Sequence, residues 1–485
     1  MTFSASERDL NIGVMDTNEQ ILNQTESVCP ECLRRIPAQN VRRGDNVCMV
    51  KTCPEHGFFS TVIWRGEPSY ESWGGSQFFN RPESRKTGRD SACPFDCDIC
   101  SDHNLQPCAA LLEVSSRCNL KCPVCFAATD NGNAFEDPPL SAIEGWYRTL
   151  LDLASPVNIQ LSGGEPTLRD DLPEIIALGR RLGFDYIQVN TNGLRLGQDP
   201  GYVQKLKSAG LNCVFLQFDG LEDRVYEHLR GTSLLRLKKA AVKNCVELGL
   251  GVTLAVTLVP GINTGSIGDL IRFALKYSPF IRAVHFQPIS YIGRYPKAPL
   301  DEDRVTIPEV IRALEEQTGG LVQVKNFIPP GLENPHCSFH GNFIVRPDGS
   351  LNPWISDWDS FRRGGITPRE KLNHAKNFLA KQWSAPHSVP SEDLLSQVAE
   401  GLHPQTASDI FELLSQLCGH TLSISGMAFQ DSWNLDLNRL RDCHIGIVNS
   451  NHRLIPFCAC NITSRTGKTL YRTQDSSHHD TDTRC

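Results

Sequence analysis

No run of about 18 uninterrupted apolar residues occurs in the chain, so no membrane-spanning helix is expected. The first twenty residues (MTFSASERDLNIGVMDTNEQ) lack a basic segment followed by an apolar one, so no secretory signal is expected either. Positive charge is in short supply. There are 48 Lys and Arg against 55 Asp and Glu, a net charge of −7, which argues against a nucleic-acid backbone as the main partner. No internal repeat with a period of roughly 20–50 residues is visible, which leaves out solenoids and propellers. With 40% hydrophobic and 21% charged residues, the composition is neither disordered nor fibrous. At roughly 100–200 residues per domain, 485 residues make room for about three units.

What the chain has in quantity is cysteine, 19 in all. Disulfide frameworks of that kind belong to small secreted domains. A chain without an export signal is expected in a reducing cytosol, where paired cysteines read as metal ligands or redox groups. Eleven precede residue 126, and only Cys213 and Cys245 lie between Cys125 and Cys337. These two read as buried structural thiols. Clusters flanking a cysteine-poor middle suggest metal modules around one scaffold.

That middle alternates strand and helix patterns. The apolar runs Leu111–Val114, Val157–Leu161, Tyr186–Val189, Cys213–Phe218, Val252–Leu258 and Val284–Phe286 read as buried strands. Helical patterns cover Leu140–Leu153, Asp171–Leu182, Gly201–Ala209, Ser233–Leu248 and Gly265–Tyr277. Such alternation predicts a parallel α/β sheet, as a partial barrel or doubly wound, with the ligand beyond the C-terminal strand ends. After residue 291 the pattern is less regular, with helices expected at Ser391–Leu402 and Thr406–Leu417.

The first strand runs into Cys118-x3-Cys122-x2-Cys125. Three thiolates so spaced can hold three irons of a [4Fe–4S] cluster and leave the fourth open; a structural cluster with a remote fourth ligand or a zinc site are the alternatives. Gly163-Gly164-Glu165-Pro166 follows the second strand, Asn190-Thr191-Asn192-Gly193 the third and Asp219-Gly220 the fourth. The glycines would let backbone approach a ligand, and the glutamate adds a charge for an ammonium group.

Together these motifs resemble the radical S-adenosylmethionine (SAM) superfamily over about residues 110–290. The resemblance implies an α/β fold, a partial (β/α)6 barrel. It implies a [4Fe–4S] cluster on Cys118, Cys122 and Cys125 whose open iron chelates the amino and carboxylate groups of SAM. Reduction then cleaves SAM to methionine and a 5′-deoxyadenosyl radical, which takes hydrogen from an unactivated C–H. Gly163, Gly164 and Glu165, with Pro166 closing the motif, would face the SAM amino group. Asn190 and Asn192 would lie near its ribose or carboxylate. The aromatic usual before the third cysteine is Val124 here, so Phe126 becomes the candidate for adenine packing.

Three further metal modules are expected. Cys29-x2-Cys32 and Cys53-x2-His56 suit a tetrahedral mononuclear zinc or iron, with Cys48 as competitor for His56. Cys93, Cys97, Cys100 and Cys108 suit a fully ligated auxiliary [4Fe–4S] cluster, with His103 outside the ligand set. Cys337, Cys443 and Cys458 suit a C-terminal cluster, with Cys418 as fourth ligand and Cys460 as its competitor. The expected organisation is a flexible N-terminus (1–28), a metal knuckle (29–75), an auxiliary-cluster segment (90–110), the core barrel (111–290), a C-terminal auxiliary-cluster domain (291–465) and a disordered tail (466–485).

The whole layout resembles the tetraether lipid synthase and dihydropterin radical methyltransferase-like family over about residues 29–462, with Cys460 standing where tyrosine is usual. That resemblance implies C–C bond formation of the lipid-tail coupling type, or else radical methyl or methylene transfer to a pterin-like small molecule. It implies a lipid or small-molecule substrate, an electron donor such as flavodoxin or ferredoxin, and peripheral membrane contact if the substrate is lipid. A non-catalytic Fe–S electron carrier is the alternative of another class; it leaves the Gly-Gly-Glu-Pro motif and the open iron without a role. An apolar tunnel would mark lipid, and a polar pocket would mark pterin.

Overall fold

The computed structural model describes residues 19–74, 93–98, 103–128, 136–153, 157–331, 333–346, 348–353, 382–384 and 420–472. The helices expected at 391–402 and 406–417, and the cysteines Cys100 and Cys418, lie outside them.

Strands β1 (Glu19–Val28), β2 (Arg35–Arg43), β3 (Asn46–Cys53) and β4 (Gly57–Arg65) form an antiparallel four-stranded sheet in sequence order. β1 therefore falls inside the stretch expected to be flexible. Helix α1 (Tyr70–Trp73) follows. The second sheet begins with β5 (Ala109–Ser115), α2 (Leu140–Leu151), β6 (Asn158–Gly163), α3 (Leu172–Arg181) and β7 (Ile187–Thr191). It continues through α4 (Leu194–Gln198), α5 (Pro200–Ser208), β8 (Cys213–Gln217), α6 (Asp223–Arg230), α7 (Leu235–Glu247), β9 (Gly251–Leu258), α8 (Ile267–Lys276) and β10 (Ile281–Pro288). All six expected core strands are present and pair in parallel from β5 to β10.

The C-terminal region adds α9 (Ile307–Thr318), β11 (Ser338–Val345), β12 (Leu351–Pro353), β13 (Thr421–Met427), α10 (Leu437–Arg441), β14 (Ile445–Val448), β15 (Leu454–Pro456) and α11 (Phe457–Asn461). Its strands enlarge the barrel sheet from both edges rather than building a sheet of their own. The order is β12-β11-β13-β10-β9-β8-β7-β6-β5-β14-β15, with β13 parallel to β10 and β14 parallel to β5. Leu470 and Tyr471, in the stretch expected to be a disordered tail, pack on a buried cluster around Leu111 and Cys458.

Local chemistry places these elements. α9 starts with Thr306 and Glu309 in a reciprocal capping box and Pro308 in its first turn, and ends at Gly319 with φ +66°. Along β9, Val252, Leu254, Val256 and Leu258 join the main core, while Thr253, Ala255 and Thr257 face the other way. Phe215 on β8 lies 5.7 Å from His285 on β10, across the intervening β9. Contact between strands that are not neighbours requires a concave face, and the second set of side chains lines it.

The buried ion pair Arg304–Asp431, 2.9 and 3.1 Å, joins the segment after β10 to the segment before α10. Asp431 also accepts from the Tyr291 and Trp433 backbone amides. Removing one partner strands the other charge out of water. Asp431→Ala is expected to lower stability by about 3–5 kcal/mol, read by chemical denaturation.

Candidate active site and metal centres

The cysteine loop leaves β5 at its C-terminal end. Cys118, Cys122 and Cys125 gather with Leu120, Leu194, Tyr226 and Leu234 in one buried cluster. Gly164 N–H donates to the Ser115 carbonyl (2.6 Å) and Glu165 N–H to the Arg117 carbonyl (2.7 Å). A Cβ on Gly163 would stand 2.1 Å from the Ser115 oxygen, and one on Gly164 2.2 Å from the Arg117 oxygen. The two glycines therefore let the end of β6 dock on the cysteine loop itself, a close approach to protein backbone that the motif alone does not reveal. From the other side, Cys125 and Arg294 exchange two backbone hydrogen bonds of 2.9 Å, and Arg294 Nε donates to the Cys122 carbonyl (3.0 Å).

Glu165 is buried, 1% exposed. Its Oε1 accepts from Thr167 N (3.0 Å), Thr167 Oγ1 (2.5 Å) and Thr191 Oγ1 (2.6 Å), and its Oε2 from Asn192 N (2.7 Å). Its charge is thus met by four protein donors, and it works as the tie between the loops after β6 and β7. Pro166 opens a short 3₁₀ turn, Pro166–Leu168. Asn192 donates to Asn119 Oδ1 (2.7 Å) in the cysteine loop and accepts from Leu194 N (3.0 Å). Asn190 donates to Gln160 (3.2 Å) and accepts from Gln188 (2.8 Å) on the concave face. Phe126 packs on Phe457 with ring centroids 5.7 Å apart, inside the C-terminal apolar cluster.

Two buried cations complete the centre. Arg230 pairs with Asp219 through two bonds of 2.8 Å and reaches the Cys122 thiol. Lys238 donates to Asn192 O (2.6 Å) and to the Gln217 backbone and side-chain oxygens (2.8 Å each). Both were legible as anomalies. Arg230 follows Tyr226 by four on the buried stripe of α6, and Lys238 opens the stripe Lys238, Ala241, Val242, Cys245 of α7. A charge at a core position asks for a buried partner.

Burial pushes the Cys118 thiol up to about 12 and raises Cys122 as well, against the pull of Arg230. A thiolate without a cation is thus unfavourable here. An iron–sulfur core supplies that cation, and three soft donors on one loop with Arg230 beside them fit it.

In the N-terminal sheet, the ligand atoms of Cys29, Cys32, Cys53 and His56 all lie within 4.8 Å of one another. Cys53 Sγ is 3.4 Å and Cys29 Sγ 3.7 Å from His56 Nδ1, and Cys32 Sγ is 4.0 Å from Cys53 Sγ. A tetrahedron with Zn–S near 2.3 Å has edges of about 3.8 Å, so the set fits one metal. Cys48 packs instead among Val41, Val50 and Val62.

Cys93 and Cys97 stand 3.8 Å apart, with Tyr471 Oη accepting from Cys97 N (2.7 Å) and Arg453 donating to the Cys97 carbonyl (2.8 Å). Cys108 packs against Ala109 and Ile445. His103 lies 3.1 Å from the Cys443 carbonyl. In the C-terminal set, Cys337, Cys443 and Cys458 come from distant sequence positions; burial raises the proton affinity of all three, Cys337 and Cys458 add to it at Cys443, and Cys337 adds to it at Cys458. Arg439 donates to Cys337 Sγ at 3.4 Å. Cys460 has Arg472 and Glu113 as its charged neighbours.

Comparison with known proteins agrees with this arrangement. Residues 21–65 match the HMPTM N-terminal zinc ribbon domain, and residues 112–274 match the radical SAM superfamily. The chain is a radical SAM enzyme, using a [4Fe–4S] cluster and SAM, with a cysteine-rich zinc-ribbon site. It is 34% identical to the 7,8-dihydro-6-hydroxymethylpterin dimethyltransferase of Methanocaldococcus jannaschii, over 91% of this chain and 94% of that one, and it belongs to that enzyme's family. A probable GTP 3′,8-cyclase of Methanothermobacter thermautotrophicus is 27% identical over 52% of this chain and 86% of its own. The crystal structure of Streptococcus suis SuiB aligns with a TM-score of 0.37 and 21% identity, over 44% of this chain and 46% of that one.

Two outcomes are expected. Cys118→Ala should abolish 5′-deoxyadenosine formation from SAM and dithionite, measured by chromatography. Anaerobic reconstitution should load about three [4Fe–4S] clusters and one mononuclear metal, by iron, sulfide and zinc counting; a single cluster would refute the auxiliary sets.

Proposed function

We propose that the enzyme transfers methyl groups to a dihydropterin, the second of the two readings that the sequence raises. The observation that carries this is the polarity of the concave wall. Gln160, Asn190, Gln217, Thr257, Gln287 and Ser425 occupy its inward positions on six strands. Gln160, Asn190, Gln217, Thr257 and Gln287 are half-exposed, so the wall is open to a ligand. Asn190, Gln217, Thr257 and Ser425 already bond within the protein, but an alkyl tail would leave the Gln287 carboxamide and the Gln160 Nε2, which have no hydrogen-bond partner among the described residues, unpaired at a cost for each. A heteroaromatic with ring nitrogens and an amide edge can satisfy them. The name and near full-length similarity of the M. jannaschii relative support the same substrate class. Lipid-tail coupling has neither support, and among the described residues no helix is long and apolar enough to cross a membrane.

In this reading Cys118, Cys122 and Cys125 hold the cluster, the Glu165 tie and Asn192 set the loop against which SAM rests, and Lys238 links that loop to Gln217 on the substrate wall. When bound, the cluster and SAM supply the one-electron chemistry. The protein orients, excludes water and selects which carbon is presented. An external reductant of the flavodoxin or ferredoxin type supplies the electron.

Anaerobic incubation with SAM, reductant and 6-hydroxymethyl-7,8-dihydropterin should give a methylated pterin by mass spectrometry. A coupled product from phospholipid, with the pterin unchanged, would overturn the reading.

A further inference from the structure

Gln287 is the penultimate residue of β10, two residues beyond His285 on the concave face. It is half-exposed, and among the described residues its carboxamide has no hydrogen-bond partner. Its counterparts lower on the wall are occupied. Gln188 accepts from Tyr186 (3.1 Å) and donates to Asn190 (2.8 Å), and Asn190 donates to Gln160 Oε1 (3.2 Å). That chain ends at Gln160, whose Nε2 donor has no partner among the described residues. So a hydrogen-bonded row of amides terminates in one open donor, while a second amide stands wholly open across the barrel.

The same concave face carries an aromatic floor. Phe215 is half-exposed and stacks on Trp383 at 5.9 Å with 26° between the planes. His285 lies 5.7 Å from Phe215 and contacts Ser425 Oγ at 2.9 Å. Burial pushes the His285 imidazole down to about 4, so the floor is uncharged at neutral pH. Glu113, also on the concave side, is paired with Arg472 (2.6 Å). The surface thus presents an aromatic face, an open donor and an open carboxamide, without an unpaired charge among these groups.

We infer that this is the recognition shelf for the heterocycle. Gln287 pairs its carboxamide with the pyrimidinone edge, its oxygen accepting from the exocyclic amino group. Gln160 donates to a ring nitrogen or carbonyl, and Phe215 stacks on the ring. A carboxamide carries one acceptor and two donors. The edge of a 2-amino-4-oxo pyrimidine carries an amino donor, a ring N–H donor and a carbonyl acceptor side by side. A site built to hydrogen-bond such an edge rejects a ligand lacking it, because its polar groups would stay unpaired. The inference rests on the pterin reading and assigns it specific residues.

Anaerobic calorimetry with 6-hydroxymethyl-7,8-dihydropterin tests it, on reconstituted enzyme with SAM bound. Gln287→Leu and Gln160→Leu should each weaken binding about tenfold, and Phe215→Leu by a similar factor. Circular dichroism and cluster absorbance confirm that each variant is folded. An analogue lacking the exocyclic amino group should bind the unmodified enzyme more weakly, with no further loss on Gln287→Leu; a purely structural role for Gln287 would not produce that equality. Tight pterin binding that is unchanged in the Gln287 and Gln160 variants would overturn the shelf and leave the pterin reading standing. No binding and no methylation by the unmodified enzyme would overturn both.

Discussion

A contact with no room for a side chain governs the site. The end of β6 hydrogen-bonds to the carbonyls of Ser115 and Arg117, and Gly163 and Gly164 are the residues that make this approach possible. Gly163 also has φ +119°, which side chains disfavour. The consequence is positional. The cysteine loop cannot drift away from the sheet, because its first turn is an extension of the β5–β6 pairing. Once it is docked, Glu165 is carried into the interior, where its charge needs donors. Thr167, Thr191 and Asn192 supply them, and this draws the loop after β7 into the same unit. One backbone contact thereby orders three strand ends.

Charge burial around that unit follows a consistent pattern. Asp219 and Arg230 are matched by two hydrogen bonds, and Lys238 is matched by three oxygens. Away from water such groups interact strongly, and leaving one unpaired is costly. The arrangement places fixed positive charge near thiolates that an iron–sulfur core requires. It also makes the loop after β7 and the end of β8 hard to move independently, because Lys238 bonds to both. That rigidity suits a site in which the position of a single C–H relative to SAM decides the product.

How much of this was legible in the sequence depends on the local regularity of each part. The six core strands and the helices between them are long and periodic, and the boundaries fell within a few residues. The ribbon was readable because ligands separated by two residues on a tight turn meet one metal. β13 and β14 were not readable. They are short, separated by long irregular stretches, and their partners β10 and β5 are far away in sequence, so nothing local marks them as edges of the same sheet. The same distance hides the electrostatic influence of Cys337 and Cys458 on Cys443. Motif reading also left out the protein contacts of its residues: Gly163 and Gly164 meet the Ser115 and Arg117 carbonyls, Glu165 meets Thr167, Thr191 and Asn192, and Phe126 meets Phe457, because a motif reports which residues occur and not what packs behind them.

The substrate question turns on the period-two pattern of the strands. The outward set, such as Val252, Leu254 and Val256, satisfies the helices, and this leaves the inward set free to vary without disturbing the core. Here the inward positions at the ligand end carry amides and hydroxyls. Most of these bond to one another or to Arg230, Lys238 and His285, while Gln287 and the Gln160 amide nitrogen have no partner among the described residues; under the proposed pterin reading, an alkyl chain would leave those two groups unpaired. In that reading a heterocycle with donors and acceptors on its rim bonds to them, and its flat faces suit the Phe215 and Trp383 stack. The alternation that builds the sheet is therefore also what separates the stability of this enzyme from its selectivity.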